Sequence, residues 1–149
     1  SCGMTEFYKM TRNCLKCEKS ASNKFTASVK HRCKHRDLAV LDHAIPGNEF
    51  YEFRAATRAV AVGNQTTAIG YPAFGPGDKL NVRPGLITSL PVKSAVNMIE
   101  VQQMLTQGMS GGPLLDIDDQ VIGVVHKGGP EYGRQLAIDI VVLRTWLHV

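Results

Sequence analysis

The sequence predicts an all-β fold, and three observations carry the prediction. Its apolar runs are short, of strand rather than helix length. Turn residues, chiefly Gly, Pro, Asn and Asp, bound nearly every one of them. Only the tail, from Val141 to Val149, spaces its apolar residues as one face of a helix does. Many short strands closed by a single terminal helix make the pattern of a barrel or a sandwich.

Taken in order, the first quarter is polar and basic, and its first strand-like alternation is Phe25-Thr26-Ala27-Ser28-Val29. Asp37-Leu38-Ala39-Val40-Leu41 reads as a second, more buried strand, which Pro46-Gly47-Asn48 turns away. From Ala59 to Ile69, apolar runs are split by Gly63-Asn64, and a Gly/Pro-rich loop follows over 70–77. Leu80 to Val82, Gly85 to Leu90 and Met98 to Val101 are each of strand length. Leu114-Leu115 leads into a turn over Asp116 to Asp119, and Gln120 to His126 is the strongest strand of the chain. Gln135 to Ile140 supplies one more before the helix.

A chain of 149 residues buries a real core as one domain, 1–149. Hydrophobic residues at 44% and charged residues at 20% exclude a disordered chain, and no run approaches a membrane span. The net charge is +4, with much of the excess before residue 37. No aromatic-studded RNA motif or recognition-helix pattern accompanies it, so a solvated basic face is expected rather than a nucleic-acid site. No signal-peptide pattern opens the chain, and the start at Ser1-Cys2-Gly3-Met4 fits a processed fragment as well as a complete product.

Gly108-Met109-Ser110-Gly111-Gly112-Pro113 is where the sequence concentrates its chemistry. Glycines on both sides of Ser110 free the backbone for a tight turn that presents the hydroxyl, with the N–H groups of Gly108 and Ser110 as paired donors. Acyl transfer needs that combination: a nucleophile, and fixed donors where the oxyanion develops. Alone, the motif is equally that of a glycine-rich hairpin with an incidental serine.

Four blocks in order give it context. Asp37 to Leu41, Val62-Gly63 through Ala68-Ile69-Gly70-Tyr71-Pro72, Pro84-Gly85-Leu86-Ile87-Thr88-Ser89-Leu90, and Gly108 to Leu114 followed by Val121-Ile122-Gly123 resemble the trypsin/chymotrypsin-fold serine proteases. Within that fold the likeness is to the HtrA/Deg-like and viral-type members, over residues 37 to about 140. The resemblance implies a hydrolase of peptide bonds built as a double β-barrel with a short C-terminal helix and needing no cofactor. It implies Ser110 as nucleophile, the Gly108 and Ser110 amides as oxyanion hole, and Asp37 as the carboxylate that orients a histidine. The alternative for Asp37 is a strand-end carboxylate paired with Arg36 or Lys34.

The family's histidine precedes its aspartate by some thirty residues, and no histidine stands there. His31 and His35 are only six and two residues before Asp37. On a strand, His35 would sit beside Asp37 on the same face rather than between carboxylate and serine. Gly3 lies at the expected distance. Three readings follow: a histidine replaced at Gly3, a natural pseudoprotease that binds peptides or proteins, or a fragment whose first strands lie upstream. The N-terminal barrel is then incomplete, or completed by an upstream segment or a partner chain. Little or no activity is expected of these 149 residues alone.

All four cysteines, Cys2, Cys14, Cys17 and Cys33, lie in the first quarter, which suits free thiols in a reducing compartment better than a disulfide framework. Cys14-Leu-Lys-Cys17 is half of a zinc signature, so a structural zinc at Cys14, Cys17 and Cys33 stands beside free thiols. His126, sixteen residues after Ser110, resembles the histidine with which picornavirus-type proteases and staphylococcal glutamyl endopeptidases favour Gln or Glu. Those enzymes pair it with a threonine five residues before the nucleophile, whereas Thr106 is four before. The alternative is a strand-end histidine bonded locally.

Overall fold

The computed structural model describes residues 7–8, 27–44, 46, 52–73, 76–128 and 132–148. They fall into two compact units, Ser1–Glu52 and Phe53–Val149. In the first, β1 (Phe7–Tyr8), β2 (Ala27–Cys33) and β3 (Leu38–His43) form an antiparallel sheet in the order β1-β3-β2. Leu38, Ala39, Val40 and Leu41 are buried in succession, as befits the central strand, whereas β2 is largely exposed. The turn Lys34–Asp37 joins them, closed by the Asp37 amide donating to the Lys34 carbonyl (3.2 Å). His35 and Asp37 therefore share a turn, not one strand face as the alternation predicts. Asp37 has φ +52°, a left-handed value that aspartate tolerates better than most residues.

The second unit holds β4 (Gln65–Gly70), β5 (Asn81–Ser89), β6 (Val92–Lys93), β7 (Val96–Val101), β8 (Pro113–Leu115), β9 (Val121–Lys127), β10 (Leu136–Asp139) and helix α1 (Ile140–Leu147). The sheet order is β10-β9-β8-β4-β5-β7-β6, and β10 also pairs with β7. That last pairing closes β4, β5, β7, β10, β9 and β8 into a six-stranded antiparallel barrel. The described residues are thus mostly β with one short C-terminal helix. Among the described residues the 1–52 unit shows a three-stranded sheet rather than a second closed barrel.

Side chains from every wall meet inside: Ala68, Ile87, Ile99, Leu114, Ile122 and Ala137 are at most 2% exposed. Each large aliphatic among them contributes roughly 1.5–3 kcal/mol by leaving water. Two of the expected strands, Leu80–Val82 and Gly85–Leu90, are one strand, β5, which runs straight through Pro84. Pro84 is tolerated because β5 at that point is paired only with β4 (Thr67↔Pro84), and its pairing with β7 starts at Ile87.

The helix is capped by Asp139, whose carboxylate accepts from the Val141 amide (2.9 Å), and it ends at His148 in the left-handed region. Ile140 and Leu143 are its buried residues, and it packs on β7, β9 and β10. Arg144 ties it further to the chain, donating to the Ala56 carbonyl (3.2 Å).

Candidate active site

The stretch between β7 and β8 is fixed almost residue by residue. Gln103 is buried and donates to the Thr66 hydroxyl (2.8 Å) and the Arg83 carbonyl (3.3 Å). The Arg83 guanidinium, itself steadied by Asn81 (2.7 Å), donates to the Met104 carbonyl (2.7 Å) and the Thr106 hydroxyl (3.2 Å). The Leu105 amide donates to the side-chain oxygen of Gln135 (2.6 Å), and the Gln107 carbonyl accepts from Ala73 (3.2 Å). A segment held this way needs little reorganisation to present a reactive group.

The turn follows directly. Met109 is fully buried and acts as its root, with its amide on the Thr106 carbonyl (3.0 Å) and its carbonyl accepting from Gly112 (2.9 Å). Gly108 (φ +95°) and Gly111 (φ +88°) adopt backbone conformations that side chains rarely allow. A Cβ at Gly108 would also overlap the Tyr71 carbonyl, and one at Gly112 would lie 2.6 Å from the Ile69 carbonyl. The glycines are thus required by both conformation and space.

Between them, Ser110 is half-buried, and its hydroxyl donates to the His126 carbonyl (3.2 Å). The Gly111 amide donates to Val125 (2.8 Å) and the Val125 amide to Gly112 (2.9 Å), so the turn is laced onto the end of β9. The amides of Gly108 and Ser110 make no backbone hydrogen bond among the described residues. Two donors within one turn thus stand beside a serine hydroxyl with no backbone acceptor among the described residues.

His126 is half-buried and is the extra residue of a β-bulge, since β10 pairs Ala137 with Val125 and Leu136 with Lys127. A second irregularity lies at Ile122, because β8 pairs Leu114 with Gly123 and Leu115 with Val121. β9 is therefore irregular near both of its ends, and Val121 to Val125 are all buried.

Of the residues singled out from sequence, Ser110, Gly108, Thr106 and His126 belong to the 53–149 unit, where Ser110 contacts His126. Asp37 belongs to the 1–52 unit, where it is exposed at its turn. Cys2, Cys14 and Cys17 lie outside the described residues. Cys33 is a free thiol at the end of β2: burial raises its pKa, but hydrogen bonds from the Arg36 backbone and guanidinium (3.2 Å) outweigh that and lower it. Arg83, Gln103 and Gln135, which hold the segment in place, carry no sequence signal beyond being lone polar residues in or beside strand-like runs.

Comparison with known proteins identifies the family. The family model of the trypsin-like peptidase domain matches residues 5–124, most of the chain. The periplasmic serine endoprotease DegP of Salmonella typhimurium is 30% identical over 115 residues, 74% of this chain, and that of Escherichia coli K12 is 29% identical over the same length. This chain spans only 24% of either relative.

Among solved structures, the Rv3671c protease of M. tuberculosis in its inactive form superposes with a TM-score of 0.69 at 22% identity, over 87% of this chain and 68% of that one. A serine endoprotease from Yersinia pestis gives 0.69 at 22%, over 85% and 44%. The HtrA-type protease AlgW with decapeptide gives 0.68 at 21%, over 80% and 38%. These similarities define the class, a trypsin-like fold shared with HtrA-type and DegP proteases. The chain belongs to the trypsin-like peptidase family of serine proteases.

Proposed function

We propose that this chain is a serine endopeptidase domain that attacks peptide carbonyls through Ser110. The observation that carries the reading is the turn itself: a half-buried serine hydroxyl flanked by two amides, of Gly108 and Ser110, that nothing described consumes. In the reaction, the Ser110 oxygen leaves the His126 carbonyl and bonds to the scissile carbon while its proton passes to water, which in turn supplies the proton that the leaving amine takes up. The carbonyl oxygen becomes an oxyanion that takes hydrogen bonds from the two amides, and the amine leaves once it is protonated. In the family's scheme an aspartate at the place of Asp37 would orient an imidazole and stabilise its charged form.

No histidine stands at the family's place in the sequence, so the serine proton lacks its usual acceptor and turnover is low. A site short of one triad member retains roughly 10³–10⁴-fold acceleration over water from its oxyanion donors and binding alone. His126 and Thr106 are the candidates for reading a Gln or Glu side chain. An imidazole N–H donates to such a group, and the His126 main chain already touches Ser110. The second reading, a pseudoprotease that holds peptides without cutting them, draws on the same contact, because the Ser110 hydroxyl donates its hydrogen bond to a backbone carbonyl, which is no base for its proton.

Peptide hydrolysis by the chain and by Ser110→Ala separates the two. The expected result is slow cleavage, well below the ordinary range of ~1–10³ per second, that disappears in the variant. Peptide binding with no cleavage by either protein supports the pseudoprotease, and equal cleavage by both removes Ser110 from the mechanism.

A further inference from the structure

In the 1–52 unit, β2 stands at the edge of its sheet. It pairs with β3 and, among the described residues, with no strand on its other side. The main-chain N–H and C=O groups along such an edge are open to another extended chain. β3 is buried from Leu38 to Leu41, whereas Ser28 to Arg32 of β2 are all exposed, as are Lys34 and His35 in the turn that follows. The run from Ser28 to Arg36 holds four cations, Lys30, Arg32, Lys34 and Arg36, with His31 and His35 between them and no acidic residue. Lys30 meets Asp42 at 3.6 Å with both side chains more than half exposed, and Arg36 donates to the Cys33 sulfur (3.2 Å). Arg32 and Lys34 make no ion pair among the described residues.

We propose that β2 is a docking strand for an acidic, extended peptide segment of a partner protein. The segment adds to the sheet beside β2 and sets its carboxylates against Arg32 and Lys34. Cations on an edge, and a bulge such as the one at Lys30, ordinarily keep other strands from pairing there. That defence works against neutral and basic strands, but a strand that bears carboxylates is attracted by the same charges. The edge also favours a peptide over a nucleic acid, the other polyanion that a basic strand attracts. A peptide main chain uses the open donors and acceptors in alternation. Unpaired bases would stack on aromatic rings, and no Phe, Tyr or Trp lies between Ala27 and Asp37. Docking here is independent of whether Ser110 is a nucleophile.

The probe is an eight-residue peptide of alternating Asp and Val, added to the full chain carrying Ser110→Ala so that it is not cut. Its affinity should fall about tenfold or more when Asn replaces every Asp, because the attraction between charges is then lost. The Asp peptide should lose a further test of the same kind: Arg32→Glu combined with Lys34→Glu should weaken it about tenfold, since two exposed pairs become two repulsions. Equal affinity for the Asp and Asn peptides overturns the proposal.

Two further readouts need no variant of β2. Alternate N–H groups of an added strand face the sheet, so of two Asp peptides N-methylated at odd or at even residues, one should bind and the other should not. Equal behaviour of the two means that no strand is added, and overturns the proposal. The amide resonances of Ser28 to Arg32 should shift as the Asp peptide binds. Shifts confined to 105–112 and His126 would put the peptide at the candidate active site instead, and tighter binding of an oligouridylate of equal charge at the β2 resonances would make the strand a nucleic-acid site; either overturns it.

Discussion

At Gly108 two requirements coincide, a positive φ and a carbonyl, that of Tyr71, where a Cβ would go. Gly108→Ala should therefore lose roughly 1–3 kcal/mol of stability from strain and overlap, read as a lower urea midpoint at constant slope. Binding of any oxyanion analogue should weaken with it, because the amide at 108 is one of the two proposed donors. The serine and its glycines were legible in the sequence because a tight turn can be written in few ways. Asp37 is singled out only through the order of the blocks, since a lone aspartate before an apolar run has many explanations, and the structure shows it exposed at its turn. The supports were not legible at all. Arg83 meets Thr106 across twenty-three positions and Gln135 meets Leu105 across thirty, and no local pattern marks a partner so distant.

Among the elements, α1 makes the sharpest pH prediction. Desolvation raises the Asp139 carboxyl above its ordinary 3.8, and the hydrogen bond from Val141 only partly opposes it. The folded protein thus holds this proton more tightly than the unfolded chain. The contribution to stability is full below 3.8 and is lost as pH rises through the raised value. Asp139→Asn keeps an acceptor for the Val141 amide but has no proton to lose. It should be more stable than the parent at neutral pH, with the difference shrinking between about pH 7 and pH 3; urea unfolding across that range checks it.

Glu100 works in the other direction. The hydrogen bond from Arg134 (2.6 Å) lowers its pKa from 4.5, so its contribution is present above that value and disappears as pH falls through the lowered one. The elements themselves were largely legible, since β3, β7, β9 and α1 begin and end within a residue or two of their apolar runs. The errors arose where pairing overrides local chemistry. Pro84 looks like a strand break until the absence of a β7 partner there is known. The bulge at His126 is a property of two strands, which neither sequence segment shows alone.

For the molecule as a whole, the pairing of β7 with β10 has a mechanical consequence. An open sheet comes apart from its outer strands inward, one ladder at a time. A ring has no outer strand, so the first ladder to break must do so while both of its strands are still held on their far sides. The amides of β4, β5, β7, β8, β9 and β10 should then exchange with solvent through one shared opening. Native-state hydrogen exchange in rising denaturant should show their opening free energies converging on a single isotherm, whereas the two residues of β6, paired with β7 alone, should exchange earlier. A graded series of openings around the ring would mean that the β7–β10 seam parts by itself. Because β7 leads into the serine loop, β8 leaves it and β9 receives it, a seam that holds makes the geometry around Ser110 as durable as the barrel: the site is lost only when the barrel opens.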